Sequence, residues 1–402
     1  MSIAIAEFWK LAVEGRLLTP ADCQRLEAAF THVKGAANQA NAGTLGEWLV
    51  ASGALSRYQV QTLLARRPGP FLFGDYCVYD RIRSKEGRLA GLYRAMHVAT
   101  RHPVLLCFLS PEIARSPDAF QAAAGQIAWA CWVAHPFVCE CHQLLDLGQF
   151  KVVVIENLVG QSAGARLAGG VRVMPHDACR LAYQAALGLA RIHQLGLVHG
   201  EIRPENFWVA PDGNVKLLQV PLAPEPLRGP KALDWSTPTA KLLTAADYAA
   251  PELAHAGRPP DPLTDIYALG ATLYHFLSGA PPFPGNDLDV KKVLHAIEPV
   301  ASLGKFGIPK QLNQVIAFML AKDPAQRYQQ AAQVAEALAH FVDPARIGAA
   351  PALAPTLPAY DQWLTGQPRV PGMAPGSIPT TLQMLTYTAA QYAAGQQAAA
   401  AQ

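Results

Sequence analysis

The run Val198-His199-Gly200-Glu201-Ile202-Arg203-Pro204-Glu205-Asn206 brings a carboxylate, a guanidinium, an imidazole and a carboxamide close together. Side chains of these types accept protons, steady anions and lend oxygens to cations. Glu201, Arg203 and Asn206 are therefore the first candidates for chemistry. A second cluster, Cys131, His135, Cys139, Cys141 and His142, is dense in soft metal ligands. A structural zinc site wants Cys-x₂-Cys type spacing and a tetrahedral set, which this run does not offer. Cysteines are also common core residues, so no metal site is expected.

Neighbouring elements must position the first run. Downstream, Trp208-Val209-Ala210 and Val215-Lys216-Leu217-Leu218 flank Pro211-Asp212-Gly213-Asn214. Those four residues tolerate positive φ, which predicts a β-hairpin. Upstream, Pro175 to Leu195 has the spacing of a long amphipathic helix, closed by Gly196. Earlier still come β-prone runs at Tyr76 to Tyr79, Gly91 to Ala95 and Val104 to Leu109. An Ala-rich helical stretch, Ser116 to Val133, and an apolar run, Lys151 to Leu158, follow them. Ile266 to Val342 reads mostly as helix.

The first 68 or so residues carry a weak repeat. Phe8-Trp9-Lys10-Leu11 leads to Gly15 and Thr19; Glu47-Trp48-Leu49-Val50 leads to Gly53 and Ser56. In each copy the glycine can end a helix in the left-handed region. Thr19 or Ser56 can cap the next helix, with Pro20 suited to a first helical position. The pattern predicts two packed helical hairpins. Beyond Asp343 the chain turns to Pro, Ala, Gly and Gln with little charge, which predicts disorder.

The run at 198–206 resembles the catalytic loop of bacterial Ser/Thr protein kinases, usually His-Arg-Asp-Leu-Lys-Pro-Glu-Asn. His199, Pro204, Glu205 and Asn206 keep that frame. Three further segments match in order: Tyr248-Ala249-Ala250-Pro251-Glu252, Thr264-Asp265-Ile266-Tyr267-Ala268-Leu269-Gly270 and Asp323-Pro324-Ala325-Gln326-Arg327-Tyr328. The helical prefix followed by Phe71-Leu72-Phe73-Gly74-Asp75-Tyr76 is similar to the region before the catalytic domain in planctomycete-type kinases. The resemblance implies an α+β, two-lobed protein-kinase-like fold with an N-terminal all-helical module and a disordered tail. The module would span 1–70, the kinase-like domain 73–342 and the tail 345–402. The N-lobe would be 73–158 and the C-lobe 159–342. The resemblance also implies that Glu252 pairs with Arg327 and that Asp265 accepts from the loop backbone around His199.

Phosphoryl transfer in this family needs positioned charge, and here the charge departs from the pattern. Val104-Leu105-Leu106-Cys107 stands at Val-Ala-Ile-Lys, so Cys107 replaces the phosphate-binding lysine. Its usual partner is missing as well, because Phe120 to Ala134 contains no Glu. Gln219 stands at the metal-binding Asp, and Mg²⁺ prefers charged oxygens. Pro221 replaces the following Gly, and of three Gly-rich loop positions, Lys85, Gly87 and Ala90, only Gly87 is kept. Glu201 moves the proton-accepting carboxylate by one methylene, a misplacement that can cost about 10²-fold in rate. Arg203 replaces a Lys and keeps charge without shape. Asn206 is a metal ligand in the family, or simply a hydrogen bonder within the loop. Gly200 removes the regulatory Arg, and Ala245 replaces a Thr that links the substrate and catalytic loops. Lys85 or Arg94 could supply a displaced cation; each also reads as a solvated basic residue. Ile155, Glu156 and Leu158 would line the adenine site and offer hinge backbone groups.

A formal charge of +3 gives no reason to expect nucleic acid or an anionic membrane as partner. No apolar stretch of membrane-spanning length occurs. Seven scattered cysteines, and no basic-then-apolar leader before Lys10, predict a reduced, cytoplasmic setting. The expected function is that of a pseudokinase, a scaffold that binds a protein partner such as another kinase or a signalling protein. No cofactor is expected. The alternative is an active or weakly active Ser/Thr kinase using ATP and Mg²⁺ through Glu201, Arg203 and Asn206.

Overall fold

The computed structural model describes residues 3–34, 41–82, 92–109, 111–218, 240–254 and 258–343. Gly87 with the rest of the Gly-rich loop, Gln219 with Pro221, and the expected tail lie outside the described residues.

Four helices open the chain: α1 (Ile5–Glu14), α2 (Pro20–Lys34), α3 (Ala42–Ala51) and α4 (Arg57–Leu64). Thr19 and Asp22 cap α2 reciprocally, and Ser56 with Gln59 forms a capping box on α4. Gly53 takes the expected left-handed turn, with φ 73°. Gly15 does not; its φ is −74°, and Arg16 takes the positive angle instead, at 55°. Gly15 is needed for a different reason: a Cβ there would lie 2.2 Å from the Pro68 carbonyl oxygen. Phe8, Leu45, Leu49 and Leu63 form a closed core that extends onto Cys77, Tyr79 and Met96 of the adjoining sheet. Gln59, fully buried, donates from Nε2 to Val78 O at 2.8 Å and ties α4 to that sheet.

The sheet has strands β1 (Leu72–Phe73), β2 (Tyr76–Arg81), β3 (Leu92–His97), β4 (Pro103–Phe108), β5 (Cys141–Leu147) and β6 (Phe150–Glu156). Every pairing is antiparallel and the spatial order is β1-β2-β3-β4-β6-β5. Two helices, α5 (Pro111–Arg115) and α6 (Pro117–Ala130), follow β4, each opened by proline. His135-Pro136 precedes β5 in a turn, where Val138 makes a parallel bridge to Leu217.

The second lobe begins with β7 (Gln161–Ser162) and α7 (Ala163–Leu167). The long α8 (Pro175–Gln194) ends before Gly196 as expected, and β8 (Phe207–Val209) and β9 (Val215–Leu217) form the expected hairpin, with Gly213 at φ 81°. Then come α9 (Ala240–Ala246), α10 (Pro262–Ser278), α11 (Leu288–Ile297), α12 (Lys310–Met319) and α13 (Ala331–Ala339). Asp261 caps α10 with a capping box and Gly279 closes it at φ 82°. One core joins α8, α10, α12, α13 and the inner face of the hairpin, with Tyr267, Phe207 and Phe276 fully buried. Among the described residues no helix is long and apolar enough to cross a membrane.

One side chain in that lobe links fold to pH. His295 is buried against Tyr267, and burial, then Lys322 and Lys291, push its pKa down from 6.5 to about 3. Unfolded His295 binds a proton below about pH 6.5 while the folded form stays neutral, so stability is lost as pH falls from there toward 3. Each pH unit of that gap is worth about 1.4 kcal/mol. Acidifying from pH 7 to pH 5 should lower the Tm of the wild type more than that of His295→Asn; equal shifts would remove this residue from the account.

Candidate active site

Asp265, in the first turn of α10 and 1% exposed, organises the 198–206 run. Its carboxylate accepts from the backbone N–H groups of His199 and Gly200, each at 2.8 Å, and from His193 Nε2 at 2.9 Å. Gly200 sits at φ 72°, a conformation that glycine adopts without the strain a Cβ brings. His199 Nδ1 accepts from Glu201 N at 3.2 Å, so the assigned tautomer leaves Nε2–H to donate to Leu218 O at 3.1 Å. Burial holds the His199 pKa below its ordinary value, which favours that neutral ring. The loop is thus stitched to the strand that ends before position 219.

The three candidate groups are brought together, but they engage one another. Arg203, 3% exposed, donates from Nη2 to Glu201 Oε2 at 3.3 Å, and its Nε lies 3.9 Å from Glu205 Oε2. Its positive charge is thus shared between two carboxylates inside the loop. Asn206 Nδ2 donates to Glu201 O at 2.6 Å, the within-loop role that was one of its two readings. Glu201 keeps its side chain 47% exposed.

Above this loop lies the interlobe cleft. Leu92 pairs with Cys107 across β3 and β4, and Leu105 pairs with Ile155 across β4 and β6. Leu92, Leu105, Cys107, Val153, Ile155 and Leu158 belong to one buried apolar cluster. Burial pushes the Cys107 thiol up to about 12, so position 107 carries a neutral group at neutral pH. The only acidic residue of α6 is Asp118, in its exposed first turn. The Glu156 N–H donates to Glu140 O, and its carboxylate takes Lys216 Nζ and Glu140 N, each at 2.8 Å.

Two residues here make contacts that the sequence does not announce. Arg94 is half-buried, and its Nη1 donates to Asn157 Oδ1 at 2.9 Å and Leu158 O at 3.3 Å. The sequence pattern puts Trp208 on a hairpin strand and gives it no further role. Strand alternation carried the signal: Phe207 and Val209 face the helical core, so Trp208 must face the cleft. Arg94 gave no such signal, because its partners are 63 and 64 residues away.

Away from the cleft, Arg327 forms a bidentate pair with Glu252, at 2.6 and 2.7 Å, both groups buried. Arg327 also donates to the carbonyls of Ala321, Leu263 and Lys322, which answers most of its hydrogen-bonding capacity. Of the cysteine cluster, Cys131 and Cys141 lie with their Sγ atoms 3.2 Å apart, and both belong to or pack on the apolar cluster of the cleft. Among the described residues no group of three or more His, Cys, Asp or Glu side chains is placed to share a metal ion.

Sheet lobe, helical lobe and an Asp-anchored loop between them define a protein-kinase-like molecule. The Protein kinase domain family profile matches residues 86–341, and the chain belongs to that family. It is similar to the serine/threonine-protein kinase PknA of Mycobacterium tuberculosis, with 26% identity over 69% of this chain and 63% of that one. It is also similar to PknL of the same species, with 33% identity over 63% of this chain and 62% of that one. The chain thus spans just under two thirds of the length of these relatives. Among solved structures, the kinase domain of Mycobacterium tuberculosis PknI superposes with a TM-score of 0.52 at 22% identity, covering 67% of this chain and 97% of that one. That likeness speaks for the fold.

Three substitutions test this geometry. Arg327→Met strands the Glu252 carboxylate in the core and should cost about 3–5 kcal/mol in urea denaturation; Arg327→Met with Glu252→Leu should recover much of it. An Arg327→Met variant as stable as wild type would mean that the pair is incidental to stability. Cys107→Lys places an ammonium in an apolar cluster and should destabilise by about 3 kcal/mol or more. A Cys107→Lys variant as stable as wild type would reveal a carboxylate within its reach.

Proposed function

We propose that this chain is a catalytically impaired member of its family, a pseudokinase acting as a signalling scaffold or allosteric partner. The observation that carries the reading is Cys107, a buried and neutral thiol on β4 where the family resemblance calls for a lysine. Phosphoryl transfer draws most of its acceleration from positioned charge rather than covalent chemistry. Here Arg203 is engaged by Glu201 and Glu205, and Lys216 by Glu156. The replacement of the metal-binding Asp by Gln219 adds to the deficit. In this reading neither ATP nor Mg²⁺ is a working cofactor, and the partner is a protein, another kinase or a signalling protein. The helical prefix and the Phe71 to Tyr76 segment support a planctomycete-type origin, and the weak charge supports a partner other than nucleic acid.

The alternative is a working Ser/Thr kinase. The half-exposed Glu201 carboxylate and the kinase relatives favour it, and in it Glu201 would orient the acceptor hydroxyl while Asn206 held metal. The two readings separate in one assay. With ATP, Mg²⁺ and a generic acceptor protein, the scaffold reading expects no transfer above the background of Glu201→Gln. A thermal-shift titration should likewise show no Mg²⁺-dependent stabilisation, where a ligand at about 100 times its Kd would add about 2.7 kcal/mol. Turnover in the range of about 1–100 s⁻¹ typical of kinases, abolished by Glu201→Gln, would establish the enzyme instead.

A further inference from the structure

The hairpin β8–β9 has two faces. Phe207, Val209, Val215 and Leu217 point into the helical core, leaving Trp208 and Lys216 on the face toward the cleft. Trp208 is 3% exposed. It belongs to the same buried cluster as Leu92 and Leu105 from the sheet lobe, Ile155 from the back of the cleft and Leu158 from the connection between lobes. Its Nε1 donates to Val159 O at 3.0 Å, just past Leu158. The indole therefore spans from the floor of the cleft to the interlobe connection, with both its apolar body and its polar edge satisfied, as a buried tryptophan requires. Arg94 closes the same edge from above, on Asn157 Oδ1 and Leu158 O. Flat apolar faces and a hydrogen-bonding edge along the connection are what a purine base would need; here the indole lies among those faces, and Trp208 and Arg94 take the Val159 and Leu158 carbonyls.

We propose that Trp208 is the cleft's own occupant: its indole fills the space a purine base would take between the lobes, and the native chain takes up no adenine nucleoside. The proposal rests on the kinase-family reading of the cleft as the nucleotide site, and adds a steric exclusion to the charge deficit. It makes Trp208 the residue that sets specificity. Removing the indole opens a cavity walled by Leu92, Leu105, Ile155, Leu158 and Leu218, and an apolar cavity of that kind accepts flat aromatic guests.

The test uses the full chain with adenosine, which carries no phosphate and so does not feel the missing charges. Calorimetric and thermal-shift titrations compare wild type, Trp208→Leu and Trp208→Ala, with free indole as a second probe. Expected is no adenosine binding by wild type over the concentrations at which Trp208→Leu saturates, a difference of at least about tenfold in affinity, equivalent to about 1.4 kcal/mol. Trp208→Ala should melt at a lower temperature than wild type, and indole should raise it again. Adenosine binding by wild type overturns the proposal and leaves catalytic impairment standing. Variants that neither bind adenosine nor respond to indole overturn it as well. Phosphoryl transfer by wild type would sink both this inference and the scaffold reading.

Discussion

A single buried carboxylate holds the centre of this molecule. Asp265 takes two backbone N–H groups from the loop and one imidazole from α8, and it is almost wholly removed from water. A buried carboxylate with no such donors would be expensive to keep ionised. With three donors it becomes the fixed point from which the loop hangs. Its own position is secured by α10, whose N-terminus favours negative charge and is capped by Asp261. Another buried anion, Glu252, is secured in a similar way by Arg327. Frame and fold therefore depend on charges that face inward, and these match the family pattern.

The charges that would face a substrate follow a different logic. Arg203 is as buried as the frame residues and is claimed by carboxylates of its own loop. Lys216 is claimed by Glu156, and Arg94 by the connection between the lobes. Each cation retained in the described cleft therefore stabilises the chain itself. An anionic ligand would have to compete with an existing partner to recruit one.

Much of this was legible from the chain alone because it depends on local rules. The hairpin turn at 211–214, the caps at Thr19 and Ser56, the left-handed turn at Gly53 and the long helix from Pro175 are each written in a few adjacent residues. The Asp265 and Glu252 roles were legible through family spacing rather than from the residues themselves. The sequence reading failed where a long side chain reaches across the fold. Arg94 on β3 reads as a surface residue until β6 and the connection beyond it are in place. Gly15 was read as a helix terminator because that is its usual reason to occur; its actual constraint is the Pro68 carbonyl, 53 residues away in sequence. Trp208 lay between the two cases, since alternation gave its direction but not what waited there.

The filled cleft also bears on motion. In a two-state hinge, a ligand shifts the equilibrium only by its differential affinity for the two states. Here the apolar cluster draws on both lobes, from Leu92 and Leu105 above to Trp208 and Leu218 below. Opening the lobes would expose that surface at roughly 25 cal/mol for every Å². The closed arrangement is thus favoured by the chain's own side chains. The prefix core reinforces the upper lobe in the same way, through Gln59 on Val78 and the shared packing with Met96. A partner binding the outer faces would then meet one arrangement rather than a nucleotide-dependent mixture. For a scaffold that constancy lowers the cost of recognition, since no fraction of the population has to rearrange before binding.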